Sequence, residues 1–241
     1  MARRPRPDAP EQTRPSTGPA HLVALARETI PPVHPDGLPF VAGAAAVALA
    51  GRRHRWIAAP AATAAGACAA FFRHPRRVPP TAADVVVAPA DGTVSLVDDA
   101  VPPPESGLGN APLPRVSVFL SIFDVHVQRS PITGTVTSVV HTAGRFASAD
   151  LPEASATNER TTMTLHSEAT GTDLAVVQIA GLIARRIVCE AIPGDELRIG
   201  ETYGLIRFGS RVDVYLPPGT RPQVRVGQRT VGAETLLATL P

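Results

Sequence analysis

The chain has 241 residues, 44% of them hydrophobic, which suffices for one catalytic domain with appendages and a substantial core. Its formal charge of +2 hides the fact that all 23 basic residues are arginine. Without a lysine there is no Schiff-base anchor for pyridoxal phosphate and no phosphate-binding lysine for a Walker A loop, so both classes are excluded.

Residues 1–36 open with arginine, proline and small polar residues and read as a disordered basic tail and lead-in. Two apolar runs follow within 37–78, Leu38 to Ala50 and Trp56 to Phe72, separated by Gly51-Arg52-Arg53-His54-Arg55. Each is shorter than the ~20 residues that a perpendicular spanning helix needs. Pro60 is expected to distort or end the second. A hairpin dipping into the bilayer, a pair of interfacial helices and ordinary core helices all fit the lengths. The flanking arginines, with Trp56, Phe71 and Phe72 at segment ends, favour a membrane-associating segment. The first apolar run starts too late for a cleaved signal peptide, so the catalytic part is expected to face the cytoplasm.

From 79 to 241 the texture becomes β-rich. Short β-branched runs at Val85 to Val87, Thr93 to Val97, Val116 to Phe123, Thr135 to Val139, Thr161 to Leu165, Leu174 to Ile179, Ile187 to Cys189 and Ile206 to Leu216 are punctuated by Gly, Pro and Asp. Such spacing predicts an antiparallel β-sandwich or barrel with the helical segment packed outside it. Pro102 to Pro114 reads as an exposed loop. Two internal echoes are present: Pro89-Ala90-Asp91-Gly92-Thr93-Val94 with Pro131-Ile132-Thr133-Gly134-Thr135-Val136, and Gly194 to Thr202 with Gly227 to Thr235. These turns resemble those of lipoyl-carrier and duplicated-hybrid-motif folds, and two copies are too few for a solenoid. Cys68 and Cys189 read as buried free thiols in a reducing compartment, and the scattered histidines give no metal site.

One hydroxyl stands out. If the run Leu205 to Pro217 is a single strand, Ile206, Phe208, Ser210, Val212, Val214 and Leu216 share one side, with Arg207, Arg211, Asp213 and Tyr215 on the other. A buried serine after a glycine has the local geometry for self-cleavage, because its hydroxyl must reach its own preceding carbonyl and Gly209 leaves that carbonyl open. An N-to-O acyl shift gives an ester, β-elimination gives a dehydroalanine, and hydrolysis gives a ketone with loss of ammonia. The alternative is a core serine bonded to a neighbouring carbonyl.

Gly204 to Pro217, together with Ala88 to Val94, Arg129 to Val136, Ile183 to Val188 and the Phe71-Phe72-Arg73-x-Pro75 entry, resembles the phosphatidylserine decarboxylases, above all their short bacterial and archaeal branch. The likeness covers roughly Phe71 to Pro217. It implies a proenzyme that cuts itself between Gly209 and Ser210 into a large chain (1–209) and a small chain (210–241). Ser210 would become a covalent pyruvoyl group that replaces pyridoxal phosphate, and phosphatidylserine would lose carbon dioxide through a Schiff base to give phosphatidylethanolamine.

His126 would be the base and proton donor, oriented by Asp91, with Asp124 the runner-up for that task. The pattern departs from better-studied relatives in having one histidine, with Arg129 three residues on, so His126 serves both steps or Arg129 takes over substrate contact. Arg73, Arg76 and Arg77 lie where guanidinium groups suit a lipid phosphate. Arg185 and Arg186 match the family without a derivable role. Expected partners are phosphatidylserine in the membrane and the chain's own small fragment, too short to fold alone and therefore woven into the larger chain's sheet. Further oligomerisation stays open, and no nucleic-acid partner is expected.

Three rival readings differ in what they require. A pyruvoyl decarboxylase of a small soluble amino acid leaves the apolar N-terminal runs unexplained. A carrier module needs a lysine at a turn, and a zinc peptidase of the duplicated-hybrid type needs a His-x-His pair.

Overall fold

The computed structural model describes residues 30–149, 151, 153–182, 186–207 and 209–241. The expected tail within 1–29, along with Phe208, Ile183, Ala184 and Arg185, lies outside the described residues. Residues Met1–Pro32 and Val33–Pro241 are separate units, and the account below concerns the second.

The alanine-rich runs fold as α1 (Leu38–Ala50) and α2 (Arg55–Phe71), packed on each other across residues 51–54. Alanine is the strongest helix former, and Pro39 occupies the first turn of α1, where a missing N–H costs nothing. The break expected at Pro60 does not occur, for that residue lies inside α2. It sits early in the helix, where the one bond it forgoes is that to the Trp56 carbonyl. Leu38, Val47, Leu49, Trp56 and Ile57 point outward and are exposed.

The rest is antiparallel β structure, as the β-branched runs demand: β1 (Val85–Val87), β2 (Gly92–Ala100), β3 (Leu113–Leu120), β4 (Val127–Arg129), β5 (Gly134–Thr142), β6 (Arg160–Ser167), β7 (Thr172–Ala180), β8 (Arg186–Cys189), β9 (Glu196–Leu197), β10 (Thr202–Arg207), β11 (Ser210–Tyr215), β12 (Arg229–Thr230) and β13 (Leu236–Thr239). A four-residue helix, α3 (Ala154–Thr157), lies between β5 and β6. Eight strands in the order β12-β2-β3-β11-β7-β6-β5-β9 curl into a half-barrel, accompanied by β4-β10-β8 and β1-β13.

This order is symmetric about the β11/β7 pair, and the sequence echoes are its cause. The Gly227 N–H bonds the Val94 carbonyl and the Gly194 N–H bonds the Val136 carbonyl, both at 2.8 Å. The β2/β3 register slips between Val94 and Leu96, and the β5/β6 register slips between Val136 and Ser138. β1 with β13 repeats β4 with β10, each with an irregularity near the same residue. One half is β1–β3 plus β11–β13, and the other half, β4–β7 with β9 and β10, is inserted within it. The chain re-enters the first half at Ser210.

Two sequence expectations need correction. The run Leu205 to Pro217 is not one strand: β10 pairs with β4 and β8, whereas β11 pairs with β3 and β7. Apolar alternation persists across the break because both strands face the same core, where Ile206, Val212, Val214 and Leu216 meet Val86, Leu120, Val136 and Met163. Nor is 102–114 wholly an exposed loop. Pro102, Pro103 and Ser106 are buried, and a short 3-10 turn at Pro104–Ser106 places Glu105 on Arg160 at 2.7 Å and on Thr142 at 3.1 Å.

Candidate active site

Ser210 is the first residue of β11, opposite Leu120 on β3 and Ala180 on β7, and is 0% exposed. Its Oγ has no hydrogen-bond partner. A buried hydroxyl left unpaired forgoes stabilisation that folded chains normally secure, a state it shares among the described residues with Ser117, Ser167, Tyr203 and Thr220. Gly209 adopts φ +61°, a left-handed conformation that side-chain-bearing residues rarely take. Its carbonyl lies close to Gly181, so that a Cβ built on Gly181 would stand 2.4 Å from the Gly209 oxygen.

His126, 1% exposed, meets this peptide directly: the Gly209 N–H donates to Nε2 at 3.3 Å. On its other side Nδ1 lies 3.0 Å from the Asp124 carbonyl. A carbonyl only accepts and an N–H only donates, so these partners place the single ring proton on Nδ1 and the free lone pair on Nε2. Burial pushes the imidazole pKa down to about 4, against an upward pull from the Asp124 carbonyl and carboxylate; Arg73 adds to the lowering. His126 is therefore a neutral imidazole against the Gly209-Ser210 peptide.

The loop that presents it, between β3 and β4, is pinned by charge. The Asp124 carboxylate accepts from the Ser121 N–H and hydroxyl, each at 2.8 Å, and from Arg229 at 2.5 Å, contacts that hold its pKa below the usual carboxylate range despite burial. Arg229 follows Ser210 in sequence, so the downstream segment braces the loop that presents His126.

Asp91 stands elsewhere. One oxygen accepts from the Gly232 N–H at 2.7 Å and the other from Arg77 at 2.6 Å. In the second half of the fold Thr133 does the corresponding task, accepting from the Ile199 N–H at 3.0 Å. The partner found at His126 Nδ1 is thus the Asp124 main chain and not Asp91, because a turn two residues upstream brings that carbonyl to the ring.

The arginines divide in the same way. Arg73 donates to the Ala70 and Phe123 carbonyls at 2.7 Å, beside the His126 loop. Arg77 is taken by Asp91, and Arg76 is exposed. Arg129 is buried with both arms on main-chain carbonyls, Gly200 at 3.0 Å and Pro75 at 2.6 Å. Arg186 begins β8 and is exposed. Cys68 and Cys189 are half-buried rather than buried, and free.

Several residues at the site carry no signal as single letters. The 0%-exposed Arg211 bonds the Ala149 and Leu151 carbonyls at 3.2 and 2.9 Å, Ser155, and Asp213 at 2.8 Å, with Arg115 at 3.7 Å from Asp213. The charged side of β11 is thus roofed by residues some sixty positions upstream.

Residues 65–238 match the phosphatidylserine decarboxylase family. The chain belongs to that family. Its whole length aligns with the whole length of phosphatidylserine decarboxylase proenzymes from Mycobacteroides abscessus at 62% identity, Rhodococcus jostii at 60% and Mycobacterium marinum at 59%. Within the phosphatidylserine decarboxylase family match fall the Ser210 peptide, His126, Asp124 and Arg229, so the buried serine and its neutral base lie inside the region that defines the family.

Proposed function

We propose that the chain is a proenzyme that cuts itself between Gly209 and Ser210 and then decarboxylates phosphatidylserine to phosphatidylethanolamine. One observation carries the reading: an unpartnered, fully buried Ser210 hydroxyl follows a left-handed glycine whose N–H rests on the neutral Nε2 of His126. That contact is long for a hydrogen bond, so the Nε2 lone pair is readily released to the hydroxyl. His126 takes the Ser210 proton, Oγ bonds the Gly209 carbon, and the C–N bond breaks as the Ser210 nitrogen takes a proton. Elimination across Cα–Cβ expels the Gly209 carboxylate. Water then replaces the nitrogen, which leaves as ammonia, and a ketone remains at the head of β11.

The residues present fit such a group, since it forms from Ser210 itself between Leu120 and Ala180, where water is excluded and charge is little screened. When formed, it supplies an electrophilic carbonyl that draws in the substrate amine and accepts the electrons released with carbon dioxide. His126 Nε2 is the proton carrier beside that position. Asp91 acts at one remove, tying Gly232 of the small chain to Arg77 of the large one.

The helical hairpin supplies the lipid. At about 1.5 Å per residue α1 and α2 reach roughly 20 and 26 Å, short of the ~30 Å bilayer core. No helix among the described residues is long and apolar enough to cross a membrane. The outward Trp56 (79% exposed) and Leu49 instead suit a hairpin seated in one leaflet, with Arg73 just after it bonded to the carbonyl of the exposed Phe123 in the His126 loop. We place the catalytic part on the cytoplasmic side, as a large and a small chain that stay together through β11–β13.

The test compares phosphatidylserine in mixed micelles with free serine. Carbon dioxide release from the lipid alone is expected, abolished by Ser210→Ala. Release from free serine at a similar rate would replace the lipid with a soluble amino acid.

A further inference from the structure

The aromatic ring at the end of α2 meets the base face-on. Phe71 is buried against His126, with ring centroids 4.1 Å apart and planes tilted by 33°. Phe72 sets its edge against Phe71 at 5.0 Å and stacks on Phe40 of α1 at 5.5 Å, while Leu205 on β10 completes the cluster. Arg207, two residues before Gly209, lies over the Phe40 ring at 5.3 Å. The hairpin therefore touches both the base and the strand that leads into the scissile bond.

We infer that Phe71 is a positioning residue for His126: its ring holds the imidazole between the Asp124 carbonyl and the Gly209 N–H and keeps water from it, making the hairpin a working part of the catalytic site. This rests on the role of His126 proposed above. The charged groups that face the ring are few. Asp124, from the β3/β4 loop, favours the imidazolium through its carbonyl and carboxylate, and Arg73, just after α2, opposes it. From the β11 side Gly209 presents a neutral N–H.

Two effects of Phe71 compete. An aromatic face attracts an imidazolium, which on its own raises the pKa of a desolvated ring by about one and a half units. Burial works in the opposite sense and is larger, for it takes His126 from 6.5 to about 4. Removing the ring should therefore raise the titration.

The experiment uses the full chain with Ser210→Ala, held uncut in detergent micelles, with labelled histidine titrated by NMR and the His126 signal assigned by its loss in His126→Gln. In this background His126 should stay neutral down to about pH 4. Phe71→Ala should move its titration up by at least one pH unit, and Phe71→Trp should restore it. An unchanged titration in Phe71→Ala overturns the inference, because a merely structural role would lower stability without moving the ring's pKa. If Phe71→Ala does not fold, Phe71→Val, which also opens the imidazole to water but removes less of the packing, carries the same expectation and the same refutation. The wild-type fragment pattern is read separately: an uncut wild type sinks the self-cleavage proposal whatever the titration shows.

Discussion

At the scale of single residues, the base is made by withdrawal from water rather than by a carboxylate partner. His126 and the half-buried His74 both have pKa values lowered to about 4, each chiefly by burial. Unfolded histidine titrates near 6.5. Between those values the unfolded chain binds more protons than the folded one, so stability is full above about pH 6.5 and is lost as the pH falls toward 4. The urea midpoint of the Ser210→Ala precursor should fall over that window, and His126→Gln should flatten part of the fall; a midpoint independent of pH would contradict the buried neutral state. Gly181 gives a sharper test. Its missing side chain makes room for the scissile carbonyl, and the atom a Cβ would strike is backbone. Gly181→Ala should slow self-cleavage at least tenfold, read as uncut chain by mass, with far-UV circular dichroism preserved.

At the scale of elements, β11 is held on both faces. One enters the main core, and the other carries Arg211 and Asp213 into a buried ionic cluster with Arg115, Ser155 and the Ala149 and Leu151 carbonyls. Arg211 is the residue after the proposed ketone, so the cluster clamps the new chain end. Arg211→Met leaves Asp213 with the more distant Arg115 and should cost about 3 kcal/mol in urea denaturation of the uncut precursor. A loss below roughly 1 kcal/mol would show that Arg115 takes over.

These elements also show what the sequence discloses. The bounds of α1 follow from an apolar run between proline and glycine, and β1 from three valines. The break between β10 and β11 is hidden, because the alternation stays in phase across Gly209. The buried charges on β11 are hidden too: alternating Arg and Asp read as a second, polar face, and their cover comes from residues far upstream. At the site, the Gly-Ser pair and the family-like motif single out Gly209, Ser210 and His126, and the structure brings His126 onto the Gly209 N–H. The Asp124 carbonyl and Gly181 act through backbone and absent atoms, which residue letters do not encode, and Phe71, which reads in the sequence as an interfacial aromatic at a segment end, is instead buried against His126.

For the whole molecule, duplication explains how the proposed cut would leave the sheet intact. The segment after Ser210 supplies β11 between β3 and β7, β12 on β2 and β13 on β1, so cleavage opens a seam between two halves without removing a strand from the sheet. The symmetry also provides an internal control. Gly171-Thr172 begins β7 as Gly209-Ser210 begins β11, with a matching left-handed glycine at φ +64°. The position that corresponds to His126 is Asp84, which precedes β1 as His126 precedes β4. A hydroxyl after a strained glycine is present in both halves, the histidine in one. The account predicts no cut at Gly171-Thr172.

Intact-mass analysis of the wild-type chain under denaturing conditions, beside Ser210→Ala, tests the central claim most directly. Two fragments are predicted, residues 1–209 and 210–241, the smaller one lighter by one ammonia than simple hydrolysis would leave it, with the variant whole. An uncut wild type, or a small fragment that keeps its amine, would contradict the account and leave Ser210 as a residue of the core.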